Sequence, residues 1–182
     1  SLRGSVCLYQ GEELGLTEAV LDLKDLQDPY GIQFWPTFKG RDGCRTPMVW
    51  SETQVNGGFS GAKPWLPVPP EHLHLAVSAQ EGPDTLLSHY RNALAFRARH
   101  PVFAKGGITF REGTEEVLVF ERSMAGHAIL VAVNMSDGPV TLKLDVRDYA
   151  TMADSGAAGT VEDGMVTLPA YASWFGSKGM ET

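Results

Sequence analysis

The sequence predicts a mixed fold: a loop-dominated first part closing on one helix, then a small antiparallel all-β sandwich. Three observations carry this. No helical or strand period persists from Thr17 to about Glu81, where Pro29, Pro36, Pro47, Pro64, Pro67, Pro69 and Pro70 punctuate the chain. One apolar face then recurs at helical spacing between Asp84 and His100. After Gly106 short β-rich runs alternate with turn residues, the grammar of a sandwich. The change of grammar places a domain boundary near Val102–Gly107, dividing the chain into residues 1–102 and 103–182.

Val6–Tyr9 is apolar and flanked by Gly4 and Gly11, which predicts a buried parallel strand. The long segment after it is functional or disordered by length alone. Its aromatics, Tyr30, Phe34, Trp35, Trp50 and Trp65, argue for order. Leu86, Leu87, Tyr90, Ala93 and Leu94 share one helix face. Pro83 suits the first turn, Arg97, Arg99 and His100 suit the electronegative C-terminal end, and Pro101 ends the helix. The expected strands are Ile108–Phe110, Val117–Arg122, Ala128–Val133, Val140–Leu144, Met165–Leu168 and Ala172–Phe175. Gly113, Ala125–Gly126, Asp137–Gly138–Pro139 and Asp163–Gly164 separate them. Trp174 and Phe175 are expected in the core.

With 43% hydrophobic and 20% charged residues, the 182-residue chain can build a core. A net charge of −7 argues against nucleic acid, which demands a basic face. No apolar run approaches the ~18 residues of a membrane span, so no membrane partner is expected. No charged-then-apolar leader is visible in the sequence. Cys7 and Cys44 are the only cysteines and make no disulfide framework; Cys7 is expected as a small buried hydrophobe. A reducing cytoplasm is the expected compartment.

Glu12 and Glu13 are the obvious paired carboxylates, but neighbours leaving a strand point to opposite sides. One is expected to brace its loop and the other to be solvated or salt-bridged. Arg41, Asp42 and Arg45 form an R-D-x-x-R loop, either an ion-pair knot or a sugar clamp. Glu18 reads as a loop acid, Trp50 as packing, and His89 and His127 as isolated and partly exposed. His72 and His74 have metal-pair spacing but no third ligand follows, so a surface loop is expected and no metal or cofactor. Asn134–Met135–Ser136 is formally a glycosylation sequon at a strand end. No serine or cysteine has a nucleophile setting.

Two segments, GSVCLYQGEELG over Gly4–Gly15 and KGRDGCRTPMVW over Lys39–Trp50, resemble the α-glucosidases of glycoside hydrolase family thirteen, in the oligo-1,6-glucosidase and exo-α-1,4-glucosidase branch. The second is similar to that family's KSRDNARTPMQW. QDPYGIQFWP, GGFSGAKPW and YRNALAFRARHP extend the resemblance. It implies the last β/α portion of a (β/α)8 barrel over residues 1–102, namely strand eight, a long loop and the final helix, with the sandwich after it. It implies that Arg41 reaches the glucose of subsite −1, that Asp42 and Arg45 brace the loop, and that Glu18 lies near subsite +1. The family's catalytic carboxylates belong to earlier strands, and no N-H-D segment occurs here, so no catalytic residue is expected in this chain. Ser1 falls inside the family pattern, which reads as the C-terminal part of a larger enzyme. The expected partners are an α-glucoside oligosaccharide and either the remainder of the barrel or another copy of the chain, since one strand cannot close a barrel. Two alternatives stay open: a noncatalytic carbohydrate-binding or interaction module, and a transglucosidase or sucrose isomerase of the same fold.

Overall fold

The computed structural model describes residues 1–179; the last three residues of the expected sandwich lie outside them. The chain divides into two compact units, one of Cys7–Arg91 and one of residues 1–6 with residues 92 onward.

The Cys7–Arg91 unit is built from turns. Short 3₁₀ segments occur at Glu12–Leu14, Leu23–Asp25, Asp42–Cys44, Val55–Gly58, Pro70–Leu75 and Val77–Gln80. Helix α1 is Pro29–Gln33, and α2, Leu86–Arg99, begins here. Among its described residues there is no strand. Val6–Tyr9, expected as strand eight, is irregular, with Val6, Leu8 and Tyr9 exposed. A strand needs a neighbour's backbone to satisfy its N–H and C=O groups, and among the described residues Val6–Tyr9 has no strand partner. Cys7 is exposed for the same reason and does not act as a core residue.

Order comes instead from two small cores and from side chains that hold backbone. Leu14, Met48, Val49, Ala76 and Leu87 form one core; Ala19, Leu21, Leu26 and Leu66 form the other. Gln80 ties three segments together. Its Nε2 donates to the carbonyls of Leu14 and Leu75 at 3.0 and 2.8 Å, and its Oε1 accepts from Leu87 N at 3.2 Å. The start of α2 is capped by Thr85, whose Oγ1 accepts from Ser88 N at 3.2 Å. Of the expected apolar face of α2 only Leu87 is buried; Leu86 and Leu94 are about 40% exposed. His72 corrects its surface-loop expectation: it is buried on the 3₁₀ segment that Pro70 opens.

In the other unit α3, Pro101–Lys105, follows α2 after a kink at His100, whose φ/ψ is extended as a residue before proline requires. Then come β1, Gly107–Phe110; β2, Val117–Met124; β3, His127–Asn134; β4, Val140–Lys143; β5, Ala150–Thr151; β6, Thr160–Glu162; β7, Met165–Leu168; and β8, Ser173–Lys178. All pairings are antiparallel, in two sheets ordered β1-β2-β3-β8-β5 and β4-β7-β6. β5 and β6 were not anticipated from sequence. Met124 pairs with His127 across a two-residue turn whose Ala125 and Gly126 both have positive φ, 50° and 84°.

Alternation along the strands builds a core on each face of the larger sheet. Val117, Val119, Leu130, Ala132 and Trp174 face the smaller sheet's Leu142, Val166 and Leu168. Phe120, Ile129, Val131 and Phe175 face Phe96, Val102 and Phe103 from α2 and α3. Trp174 is 1% exposed and its Nε1 donates to Thr151 Oγ1. Arg122 is buried among carbonyls: Nε donates to Gly107 O, and Nη2 to Val102 O and Gly106 O, at 2.9–3.0 Å. His127 is buried rather than partly exposed, because it pairs inside the β2–β3 ladder. Asn134 is buried too, its Nδ2 donating to Gly138, Leu168 and Pro169 carbonyls, so the sequon amide faces inward.

Candidate functional site

The R-D-x-x-R loop is held by two carboxylates. Asp42 is fully buried, and its Oδ2 accepts the N–H groups of Gln27 and Asp28 at 2.6 and 2.7 Å. Asp28 then caps α1: Oδ1 accepts from Tyr30 N and Gly31 N, while Oδ2 accepts from Arg41 N at 3.1 Å. Pro29 fits the first helical position behind this cap. The Arg45 guanidinium lies 3.6 Å from Asp42 and 3.8 Å from Asp28. The N–H of Arg41, aided by those of Tyr30 and Gly31 and by the Arg45 charge, outweighs burial and holds the Asp28 carboxyl below the usual range.

Gly31 is required where α1 meets the loop. A Cβ there would lie 2.5 Å from the Lys39 carbonyl oxygen. Gly43 likewise lets the loop close on the Glu18 segment. Ala19 N donates to Gly43 O at 2.9 Å, and a Cβ on Gly43 would meet Ala19 O at 2.5 Å and the Glu18 side chain at 2.8 Å. Glu18 is therefore brought beside the turn that begins at Arg41. Both are exposed, and among the described residues the Arg41 guanidinium makes no hydrogen bond or ion pair.

The two segments singled out in the sequence meet at Tyr9, whose hydroxyl donates to Cys44 O at 2.9 Å. A cavity of about 350 Å³ between them is lined by Tyr9, Gln10, Leu16, Cys44, Arg45 and Met48. Arg41 and Glu18 are not among its lining residues. The cysteines are free thiols. Glu12 and Glu13 both brace their own turn, where one is expected to brace and the other to be solvated or salt-bridged; Glu12 does so while exposed to solvent. Glu12 accepts from Tyr9 N at 3.0 Å and from the Tyr90 hydroxyl at 3.1 Å, and Glu13 from Gly11 N at 2.8 Å. Burial and the neighbouring Glu12 push the Tyr90 phenol up. Trp50, expected to pack, is 52% exposed: Met48 and Val49 fill the core, and the N–H groups of Trp50 and Ser51 both turn to Gly57 O. No cluster of three or more metal-ligating side chains occurs among the described residues, and no helix of the described residues is long and apolar enough to cross a membrane.

Asp28, Tyr9 and Gln80 escaped the sequence reading. Asp28 had a legible signal, an acid directly before a proline that opens a helix. Tyr9 and Gln80 act over long sequence separations and had none.

Comparison with known proteins gives the family of the chain. Residues 1–106 match the family described as alpha amylase, catalytic domain. A probable alpha-glucosidase of Rhizobium meliloti (strain 1021) is 52% identical over 176 residues, which cover 96% of this chain and 32% of that protein. An oligo-1,6-glucosidase of Halalkalibacterium halodurans is 30% identical over 152 residues, 73% of this chain and 27% of its own length. The crystal structure of XgtA, an alpha-glucosyl transfer enzyme, superposes with a TM-score of 0.88 at 44% identity, covering 97% of this chain and 33% of that one. The chain belongs to the α-amylase family, glycoside hydrolase family thirteen. It spans about a third of the length of the proteins it matches.

Proposed function

We propose that this chain is the C-terminal part of a retaining α-glucosidase that hydrolyses terminal α-linked glucose from oligosaccharides. Residues 1–102 contribute the last β/α portion of the barrel and residues 103–182 the sandwich. The carrying observation is the exposed, unengaged Arg41 guanidinium on a loop fixed by Asp28 and Asp42. A planar guanidinium carried on a fixed loop is suited to donating two parallel hydrogen bonds to neighbouring sugar hydroxyls. Arg41 holds the −1 glucose, and Glu18, beside the same turn, flanks +1. The nucleophile and the acid/base carboxylate that retention requires come from barrel strands other than those in this chain, and the rest of the barrel is its physical partner.

Two measurements test this. Residues 1–182 incubated with an aryl α-glucoside show no turnover; activity that survives repurification sinks the assignment. In the enzyme carrying the whole barrel, Arg41→Ala lowers kcat/KM about 100-fold, the size of a lost charge-assisted pair of hydrogen bonds. A change under threefold removes Arg41 from the site. The XgtA likeness favours a second reading, glucosyl transfer to an acceptor other than water. Product analysis with added acceptor alcohols separates transfer from hydrolysis.

A further inference from the structure

Every carbonyl from Arg41 to Cys44 is occupied, and the last of them is held by a side chain from a distant segment. Arg41 O accepts from Cys44 N at 3.2 Å and Asp42 O from Arg45 N at 2.9 Å, both inside the turn. Gly43 O accepts from Ala19 N at 2.9 Å. Cys44 O accepts from the Tyr9 hydroxyl at 2.9 Å. We propose that Tyr9 is a positioning residue of the sugar site: its hydroxyl fixes the exit of the turn that Arg41 opens, and so sets where the Arg41 guanidinium is presented. This rests on the glucosidase reading above, in which Arg41 holds the −1 glucose.

The turn needs holding at both ends. Arg41 and Arg45 flank its 3₁₀ segment, Asp42–Cys44, at φ/ψ of −115°/6° and −117°/9°. These values fall near the sparsely populated bridge region, outside regular structure. The direction of the flanks is therefore set by contacts. At the entry Arg41 N donates to Asp28 Oδ2 at 3.1 Å. At the exit the contact is the Tyr9 hydroxyl. Asp42 does not replace it, because its backbone bonds go to Gln27 and Asp28, ahead of the turn.

Tyr9 can serve as a fixed post because its own backbone is fastened. Its N–H donates to Glu12 Oε2 at 3.0 Å, and its carbonyl accepts from Glu12 N at 3.0 Å. The other carboxylate oxygen of Glu12 accepts from the hydroxyl of Tyr90 on α2. All these residues belong to the Cys7–Arg91 unit. Tyr9 and Cys44 are both exposed, so water can reach the Cys44 carbonyl when the hydroxyl is removed. Tyr9→Phe thus deletes one hydrogen bond and keeps the ring, leaving no buried group unsatisfied.

Two readouts of Tyr9→Phe test the role. In residues 1–182, amide hydrogen exchange at Arg41 and Cys44 is expected to speed up about fivefold, the size of one neutral hydrogen bond, while Leu87, tied to Gln80, is unchanged. In the enzyme carrying the whole barrel, kcat/KM for an aryl α-glucoside is expected to fall about fivefold. In an Arg41→Ala background the same substitution is expected to change it by under about twofold, since the group it positions is gone. A merely structural role gives the same loss in both backgrounds, and that result overturns the proposal. Unchanged exchange at Arg41 and Cys44 also overturns it. A large loss for Arg41→Ala with none for Tyr9→Phe removes Tyr9 and leaves the glucosidase reading standing, whereas a negligible loss for Arg41→Ala overturns both.

Discussion

Asp42 holds the R-D-x-x-R loop more strongly than the arginine that faces it. The carboxylate is wholly buried and accepts two short backbone bonds, whereas the Arg45 side chain is 36% exposed and 3.6 Å or more from either acid. Removing Asp42 strands two amides and costs about 3 kcal/mol. Removing Arg45 costs about 1 kcal/mol or less, as for a partly exposed pair. Urea unfolding of Asp42→Ala and Arg45→Ala should therefore rank them in that order, and equal losses would mean the ion pair and not the backbone bonds holds the loop. The same residues show why some of the site was readable and some was not. An R-D-x-x-R string advertises charge at short spacing, and Asp-Pro advertises a helix start. Nothing local announces that the two carboxylates meet through the backbone of Gln27 and Asp28.

At the level of elements, legibility followed pairing distance. The hairpin of β2 and β3 needs only its own alternation and its turn, and it formed with ends within two residues of expectation. β5 and β6, two and three residues long, carry too few side chains for a period to show. Val6–Tyr9 has strand-like composition, but composition cannot supply a neighbour, and the segment stays irregular. The β2–β3 turn still contains a local conflict. Ala125 sits at φ 50°, where an L side chain costs about 1–2 kcal/mol and glycine costs nothing. Ala125→Gly should raise the thermal midpoint of the chain, offset in part by the added freedom of the unfolded chain. A lowered midpoint would show that the Ala125 methyl contributes packing.

Across the whole molecule, several acids point the same way in pH. The N–H of Arg41 lowers Asp28, and the Arg147 guanidinium lowers Asp145. At Asp154 and Glu121 burial works upward but is outweighed, by His100 and Arg99 in the first case and by Tyr149, Arg111 and Lys178 in the second. Each carboxyl thus binds its proton less readily folded than unfolded. Its stabilisation is present above the ordinary values of 3.8 for Asp and 4.5 for Glu, and is lost as pH falls through the lowered folded values. Melting temperature should hold above that range and drop below it. Asp28→Asn combined with Asp154→Asn should flatten the drop; an unchanged slope would assign acid sensitivity to other groups.

β3 has a consequence for how the chain is made. Buried on both faces between β2 and β8, it reads Ala-Ile-Leu-Val-Ala-Val between His127 and Asn134, without charge, proline or glycine. Such a stretch is as good a template for a stranger's strand as for its own. Its neighbour β2 emerges from the ribosome first and can cover one edge at once. The other edge waits for β8, the last strand described, and stays open throughout synthesis of β4 to β7. Expression that slows or stops inside that interval should send the chain into inclusion bodies, however stable the finished sandwich is.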